Sequence, residues 1–117
     1  MVNWLKISAV SGALAVAAGA FGAHGLKNKV PDKMLNAWST AASYHLIHSV
    51  SMLALSAGSL PGIRAGKGRS LALFATGTAL FSGSLYVMVL TGVTKIGAVT
   101  PIGGLCLIAA WLSIGLD

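Results

Sequence analysis

The sequence predicts an all-α protein, a bundle of four transmembrane helices, and three observations predict it. Four stretches carry no charged side chain: Ile7 to Ala23, Met34 to Ile63, Ser70 to Thr94 and Ile96 to Leu116. About 20 predominantly apolar residues cross a bilayer core as a helix, so each stretch can supply a crossing. Across the 117 residues, 56% are hydrophobic and only 9% charged, against about 25% charged in a soluble domain. A short water-soluble chain could not cover its surface with so few charges. The tryptophans are the third observation. Trp4 and Trp111 fall near the outer ends of the first and fourth stretches and Trp38 at the opposite interface. That spacing matches aromatic belts on both membrane faces if there are four crossings.

These observations predict one integral membrane domain over residues 1–117, with spans at about 4–23, 37–59, 70–90 and 99–116. The length leaves almost no mass outside the bilayer and no room for a separate catalytic domain. The first span resembles a secretory signal in its Lys6, apolar run and small residues. The run is long for a signal core and only one lysine precedes it, which predicts that it is retained.

In the first span Ser11, Ala15, Gly19 and Ala23 recur at four-residue steps and share one helix face. Such a ridge of small residues lets another helix backbone approach closely. Ala75, Ala79 and Gly83 form a second ridge in the third span. Between spans one and two, Pro31 and Asp32 mark a helix start, with Asp32 as cap. A helix from Asp32 to about Ser59 would be ~42 Å long at 1.5 Å per residue. That exceeds the roughly 30 Å hydrocarbon core, so its first turns, with Trp38, are expected at headgroup level unless the helix tilts. Leu60-Pro61-Gly62 breaks the chain before span three. Thr100-Pro101 opens span four, with Thr as cap and Pro at the first helical position.

The net charge of +6 sits in short loops beside the apolar spans, at Lys27, Lys29 and Lys33 and at Arg64, Lys67 and Arg69. Basic residues so placed meet anionic lipid headgroups. No basic stripe with interleaved aromatics exists, so nucleic acid is not an expected partner. Lys6, Arg64, Lys67 and Arg69 lie on the side of the termini, and Lys27, Lys29, Lys33 and Lys95 on the other. The positive-inside rule therefore does not choose an orientation.

The chemistry-bearing residues are few. His45 and His48 are three apart on one helix face, which Tyr44 and Ser51 extend, and His24 closes the first span. Three readings of this polar group compete. It can hydrogen-bond within the bundle, because polar groups in a bilayer must find partners. It can be a ligand site for metal or haem through neutral imidazole, although a third or fourth metal ligand is missing. It can be a contact surface or a lipid-headgroup pocket. Cys106, the single cysteine, reads as a packing residue.

Catalytic and nucleotide motifs fail on spacing. Gly62 to Gly68 has three residues between its first two glycines where a phosphate loop has four, and Gly68 follows Lys67 where Ser or Thr is required. The acids are Asp32 and Asp117, both at span ends, so no Ser/His/Asp triad and no carboxylate proton path can be assembled.

Four blocks in order carry a family likeness: Gly19-Ala20-Phe21-Gly22-Ala23-His24-Gly25-Leu26; Trp38-Ser39-Thr40-Ala41 leading to Tyr44-His45-Leu46-Ile47-His48-Ser49; Phe81-Ser82-Gly83-Ser84-Leu85-Tyr86; and Thr100-Pro101-Ile102-Gly103-Gly104. Over nearly the whole chain this resembles the YgdD-like family of small multi-pass membrane proteins of unknown function, which includes transmembrane protein 256. One departure is Ala110, where the family tends to have Gly. The resemblance implies a bacterial plasma membrane or a eukaryotic organelle membrane such as the mitochondrial one, and brings no activity, substrate or cofactor. The expected function is that of a non-enzymatic, helix-packing accessory or oligomeric membrane component, without a cofactor, in contact with lipid and with copies of itself or other membrane subunits. The alternative is binding or transport of a lipid, metal or small solute at His24, His45 and His48.

Overall fold

The computed structural model describes residues 2–57 and 68–116. Among them the chain forms four helices: α1 (Trp4–Phe21), α2 (Asp32–Ala57), α3 (Gly68–Thr91) and α4 (Thr100–Leu116). A π turn at Gly22–Leu26 continues α1, and a 3₁₀ turn at Thr94–Ala98 precedes α4. The expected end of helix two at Ser59, the Leu60-Pro61-Gly62 break, and Arg64 and Lys67 lie outside the described residues.

Local chemistry sets the helix ends. Asn3 caps α1, its side-chain oxygen accepting the Lys6 N–H at 3.0 Å. Asp32 is not a cap but sits inside the first turn of α2; the Pro31 carbonyl accepts the first hydrogen bond, from Leu35 N–H. Its carboxylate there faces the positive end of the helix dipole. Gly92 ends α3 at φ +75°, its N–H bonded to the Met88 carbonyl at 2.8 Å, in the left-handed conformation a glycine adopts without strain. At α4 the helix includes Thr100, whose hydroxyl bonds to Ser84 on α3 at 2.6 Å.

Each helix packs mainly on the next, α1 on α2, α2 on α3 and α3 on α4, in a body of 46 × 25 × 23 Å. One core, at the end carrying Trp4 and Ile114, joins Met52 and Leu55 of α2, Leu71 and Phe74 of α3, and Leu107 and Ala110 of α4. A second core near the opposite end joins Leu26, Trp38 and Val89. Outward faces are apolar: Leu5, Val10, Leu14 and Val16 on α1, and Ile102, Leu105, Ile108 and Leu112 on α4. Hydrocarbon tolerates such faces; water does not at this extent.

Three helical segments are long and apolar enough to cross a membrane: Trp4–Leu26, Gly68–Thr91 and Thr94–Gly115. The more polar α2 lies between α1 and α3.

Three placements differ from the sequence reading. Trp38 is not a headgroup anchor but is 5% exposed, edge-on to Phe21 and 4.6 Å from the Tyr86 ring. Its indole N–H donates to the Ala18 carbonyl at 2.7 Å, which satisfies the polar end of the ring inside the protein. On α1, Ser11 and Ala15 face α2, but Gly19 has open space beyond it. Close approach occurs instead at Gly22, where a Cβ would lie 2.8 Å from the Trp38 Nε1. On α3, Gly83 is open and Ala79 exposed, while Gly77 meets Leu107 and Gly103 of α4 lies against the backbone of Leu80 and Phe81. The four-residue ridges thus turn partly outward, and the tight α3–α4 seam uses glycines one face away.

Candidate functional site

The histidines of α2 reach different helices. His45 lies between α1 and α3: Nδ1 is 3.0 Å from the Tyr86 hydroxyl and Nε2 is 3.1 Å from Ser11 Oγ. Ser11 Oγ is in turn 2.6 Å from Ser49 Oγ, and Ser49 donates to the His45 carbonyl at 2.7 Å.

Counting donors fixes the direction of this chain. A serine hydroxyl has one hydrogen. Ser49 spends its own on the His45 carbonyl, so Ser11 donates to Ser49. Ser11 then accepts from His45, which places the ring proton on Nε2. Nδ1 is left as an acceptor for the Tyr86 hydroxyl. In the neutral imidazole both nitrogens of His45 are thus engaged.

The same reasoning gives His48 the opposite tautomer. The Trp111 indole N–H, which can only donate, points at His48 Nε2 from 3.1 Å. The Tyr44 carbonyl, which can only accept, lies 2.6 Å from His48 Nδ1. The ring proton therefore sits on Nδ1. The buried His48 ring also lies 5.9 Å from Phe74 and 6.0 Å from Trp111, ring centre to ring centre.

The other sequence-predicted residues are dispersed. Tyr44 is exposed and stacks on Phe81, ring centres 4.6 Å apart. Ser51 donates to the Ile47 carbonyl one turn back on its own helix. His24 is exposed in the π turn and joins neither His45 nor His48 in the hydrogen bonds of the described residues. No group of three or more His, Cys, Asp or Glu side chains able to hold a metal occurs among the described residues. With both nitrogens of His45 and His48 committed, metal ligation would first have to break bonds between helices.

Further polar links join the remaining interfaces. Ser82 of α3 donates to the Ala41 carbonyl of α2 at 2.7 Å. Ser70 and Ser113 join α3 to α4 at 2.6 Å, as do Ser84 and Thr100. In each hydroxyl pair one member donates onward to a carbonyl of its own helix, Ser113 to Ala110 and Ser84 to Phe81. Thr78 Oγ1 is the exception, buried without a hydrogen-bond partner among the described residues. Sequence reasoning missed Tyr86, Ser49, Ser82 and Trp111 as members of this network. Hydroxyls recurring inside apolar stretches were the available signal, but which helix each one faces is a tertiary fact.

Two of the grooves that open on the outside are the following. One, ≈ 340 Å³, lies between the end of α1 and the first half of α2, with Lys27 and Asn36 in its wall. The other, ≈ 360 Å³, runs beside α3 between Ala79, Gly83, Val87, Ile96 and Val99, and almost all its lining is apolar.

Residues 18–104 match the family model described as protein of unknown function (DUF423). The chain is 43% identical over 116 residues to the UPF0382 membrane protein YwdK of Bacillus subtilis, covering 97% of this chain and 94% of that one. It is 40% identical to the UPF0382 membrane protein SSP2132 of Staphylococcus saprophyticus, with 97% and 94% covered. It is 37% identical to the UPF0382 membrane protein C1782.12c of the yeast Schizosaccharomyces pombe, with 97% and 98% covered. No solved structure matches. With apolar helices able to span a bilayer and relatives named as membrane proteins in bacteria and yeast, the chain belongs to the DUF423 family, a family of membrane proteins of unknown function.

Proposed function

We propose that the protein is a non-catalytic, helix-packing component of a membrane assembly, joined to a second copy or another membrane subunit along the outer face of α3. The observation that carries this reading is the outward ridge of Ala79 and Gly83. A Cβ at Gly83 would meet nothing within 4 Å, so the small residue there serves no packing need inside the chain. The ridge floors the apolar groove bounded by Val87, Ile96 and Val99. Helices associate in lipid chiefly where small residues let backbones come close, and this surface offers that approach without charge to desolvate.

The polar network supports the same reading from within. Its hydrogen bonds run between helices and end on carbonyls, so it holds the bundle together. A binding or transport role centred on His24, His45 and His48 has less to stand on, because His24 is apart and the imidazole nitrogens of the other two are engaged.

The test is native mass spectrometry and crosslinking in mild detergent, with wild type beside Gly83→Leu. Higher-order species or a copurifying subunit in the wild type, lost in a folded Gly83→Leu protein, is the expected result. A strictly monomeric wild type with no copurifying partner overturns the reading.

A further inference from the structure

We propose that the groove between the end of α1 and the first half of α2 binds the phosphate and glycerol region of an anionic phospholipid. The outward face of α2 changes character along its length. Toward the end at Ala57 it carries Leu46, Ile47, Val50 and Leu53. Toward the end at Asp32 it carries Asn36, Ser39, Thr40 and Ser43, all exposed. Asn36, Ser39 and Ser43 lie at steps of three and four, on one face, and line the groove.

Ser39 and Ser43 stand apart from the other serines among the described residues. Ser8, Ser11, Ser49, Ser51, Ser56, Ser82, Ser84, Ser113 and Thr91 all hydrogen-bond within the protein. Among the described residues Ser39 and Ser43 make no hydrogen bond through their hydroxyls, and both line the groove. At 1.5 Å per residue, Ser39 lies about 9 Å and Ser43 about 15 Å along the helix from Lys33. At such depth a polar group needs a partner that lipid tails cannot provide.

The lining follows the chemistry of a phospholipid from phosphate to glycerol. Lys27 stands in the wall where the chain leaves the π turn and supplies a cation for phosphate. Lys33 lines the adjoining groove on the other side of Asn36. Deeper, the Asn36 amide and the Ser39 hydroxyl are donors, and the ester carbonyls of a phospholipid are acceptors without donors of their own. Gly19 and Ala23 on the α1 side add no bulk, which leaves a smooth edge over which acyl chains pass to the bilayer. No carboxylate lines the groove.

A second copy fits this groove less well than a lipid does. Two copies inserted in one orientation are related by an axis along the membrane normal, so an isologous contact here brings like lysines together at equal depth. The proposal is independent of the α3 ridge.

The test uses purified full-length protein in detergent, with phosphatidylglycerol, phosphatidylcholine of the same acyl chains, or inorganic phosphate added in separate arms. Native mass spectrometry and thermal unfolding provide the readouts. Phosphatidylglycerol is expected to stay bound and raise Tm above the phosphatidylcholine arm. Lys27→Gln should weaken that binding about fivefold, the worth of one basic residue at an anionic surface. Ser39→Ala should weaken it further, and Lys6→Gln, at the other membrane face, should not. Equal response to the two lipids, full stabilisation by inorganic phosphate alone, or unchanged lipid binding in Lys27→Gln and Ser39→Ala overturns the proposal. So does efficient disulfide dimerisation of Ser39→Cys, which would give the groove to a second copy. Loss of lipid preference with the oligomer intact removes this proposal and leaves the assembly reading standing.

Discussion

The indole N–H of Trp111 in α4 points at Nε2 of His48 in α2 from 3.1 Å, across 63 residues of sequence. It is a polar bridge between two helices that are not consecutive in the chain. Trp111→Phe keeps an aromatic ring, though a smaller one, and removes the donor, leaving His48 Nε2 an unpaired acceptor beside Phe74. A double-mutant cycle of Trp111→Phe with His48→Phe, read by unfolding in mixed micelles, should give a coupling of about 0.6–1.7 kcal/mol, the range for hydrogen bonds between transmembrane helices. A coupling of zero would mean that the pair does not hold α4 to α2.

Opposite tautomers at His45 and His48 are a spectroscopic prediction. Nitrogen-15 spectra of the imidazoles should show the ring proton on Nε2 in His45 and on Nδ1 in His48. Ser11→Ala and Tyr86→Phe should disturb only the His45 pattern. Added Zn²⁺ should leave both sets of signals in place, since no nitrogen is free to ligate.

Glycine substitutions should rank by what a Cβ would meet. At Gly103 it would run into the backbone of Leu80 and Phe81, 2.7 Å from the Leu80 carbonyl carbon, and backbone cannot step aside. Gly103→Ala should cost about 1–3 kcal/mol, the usual range of overpacking. Gly77→Ala meets mainly the Leu107 side chain, at 2.8 Å, which can shift, so its cost should be smaller. Gly83→Ala should leave monomer stability unchanged. Unfolding midpoints of the three variants test the order.

Thr78→Val removes a buried hydroxyl that has no hydrogen-bond partner among the described residues. The shape is conserved and the unsatisfied polar atom disappears, so the variant should unfold no more easily than wild type, and by about 1 kcal/mol less easily if the full desolvation cost is relieved. Ser82→Ala, on the same face one turn later, should do the reverse by about 0.6–1.7 kcal/mol, because it frees the Ala41 carbonyl between helices.

Much of the architecture was legible because it follows from what is missing. Charge-free stretches mark α1, α3 and α4 whatever their partners are. Packing register was harder to read. The small-residue ridge on α1 takes four-residue steps from Ser11 to Ala23, and each step drifts about 40° around a helix of 3.6 residues per turn, so Gly19 leaves the α2 face while Gly22, seven residues after Ala15, returns to it and meets Trp38. Trp38 shows the same limit: an aromatic near a span end fits an anchor, and only the position of the Ala18 carbonyl makes it a core residue. For the histidines, spacing placed His45 and His48 on one side of α2. That one reaches Tyr86 and the other Trp111 depends on how α3 and α4 lie, which no local pattern encodes.

The polarity of α2 bears on how the chain enters a membrane. Alone among the four helices it supplies no segment apolar enough for a crossing, and Ser49, Ser51, His45 and His48 find their hydrogen-bond partners on α1, α3, α4 or α2 itself. A segment of this kind is costly to place in lipid alone, and packing against the apolar α1 gives its polar groups their first partners. Insertion and tertiary pairing are thereby coupled for α2, and truncation after Ala57 would leave it without its links to Tyr86, Ser82 and Trp111, three of its six side-chain hydrogen bonds to other helices among the described residues.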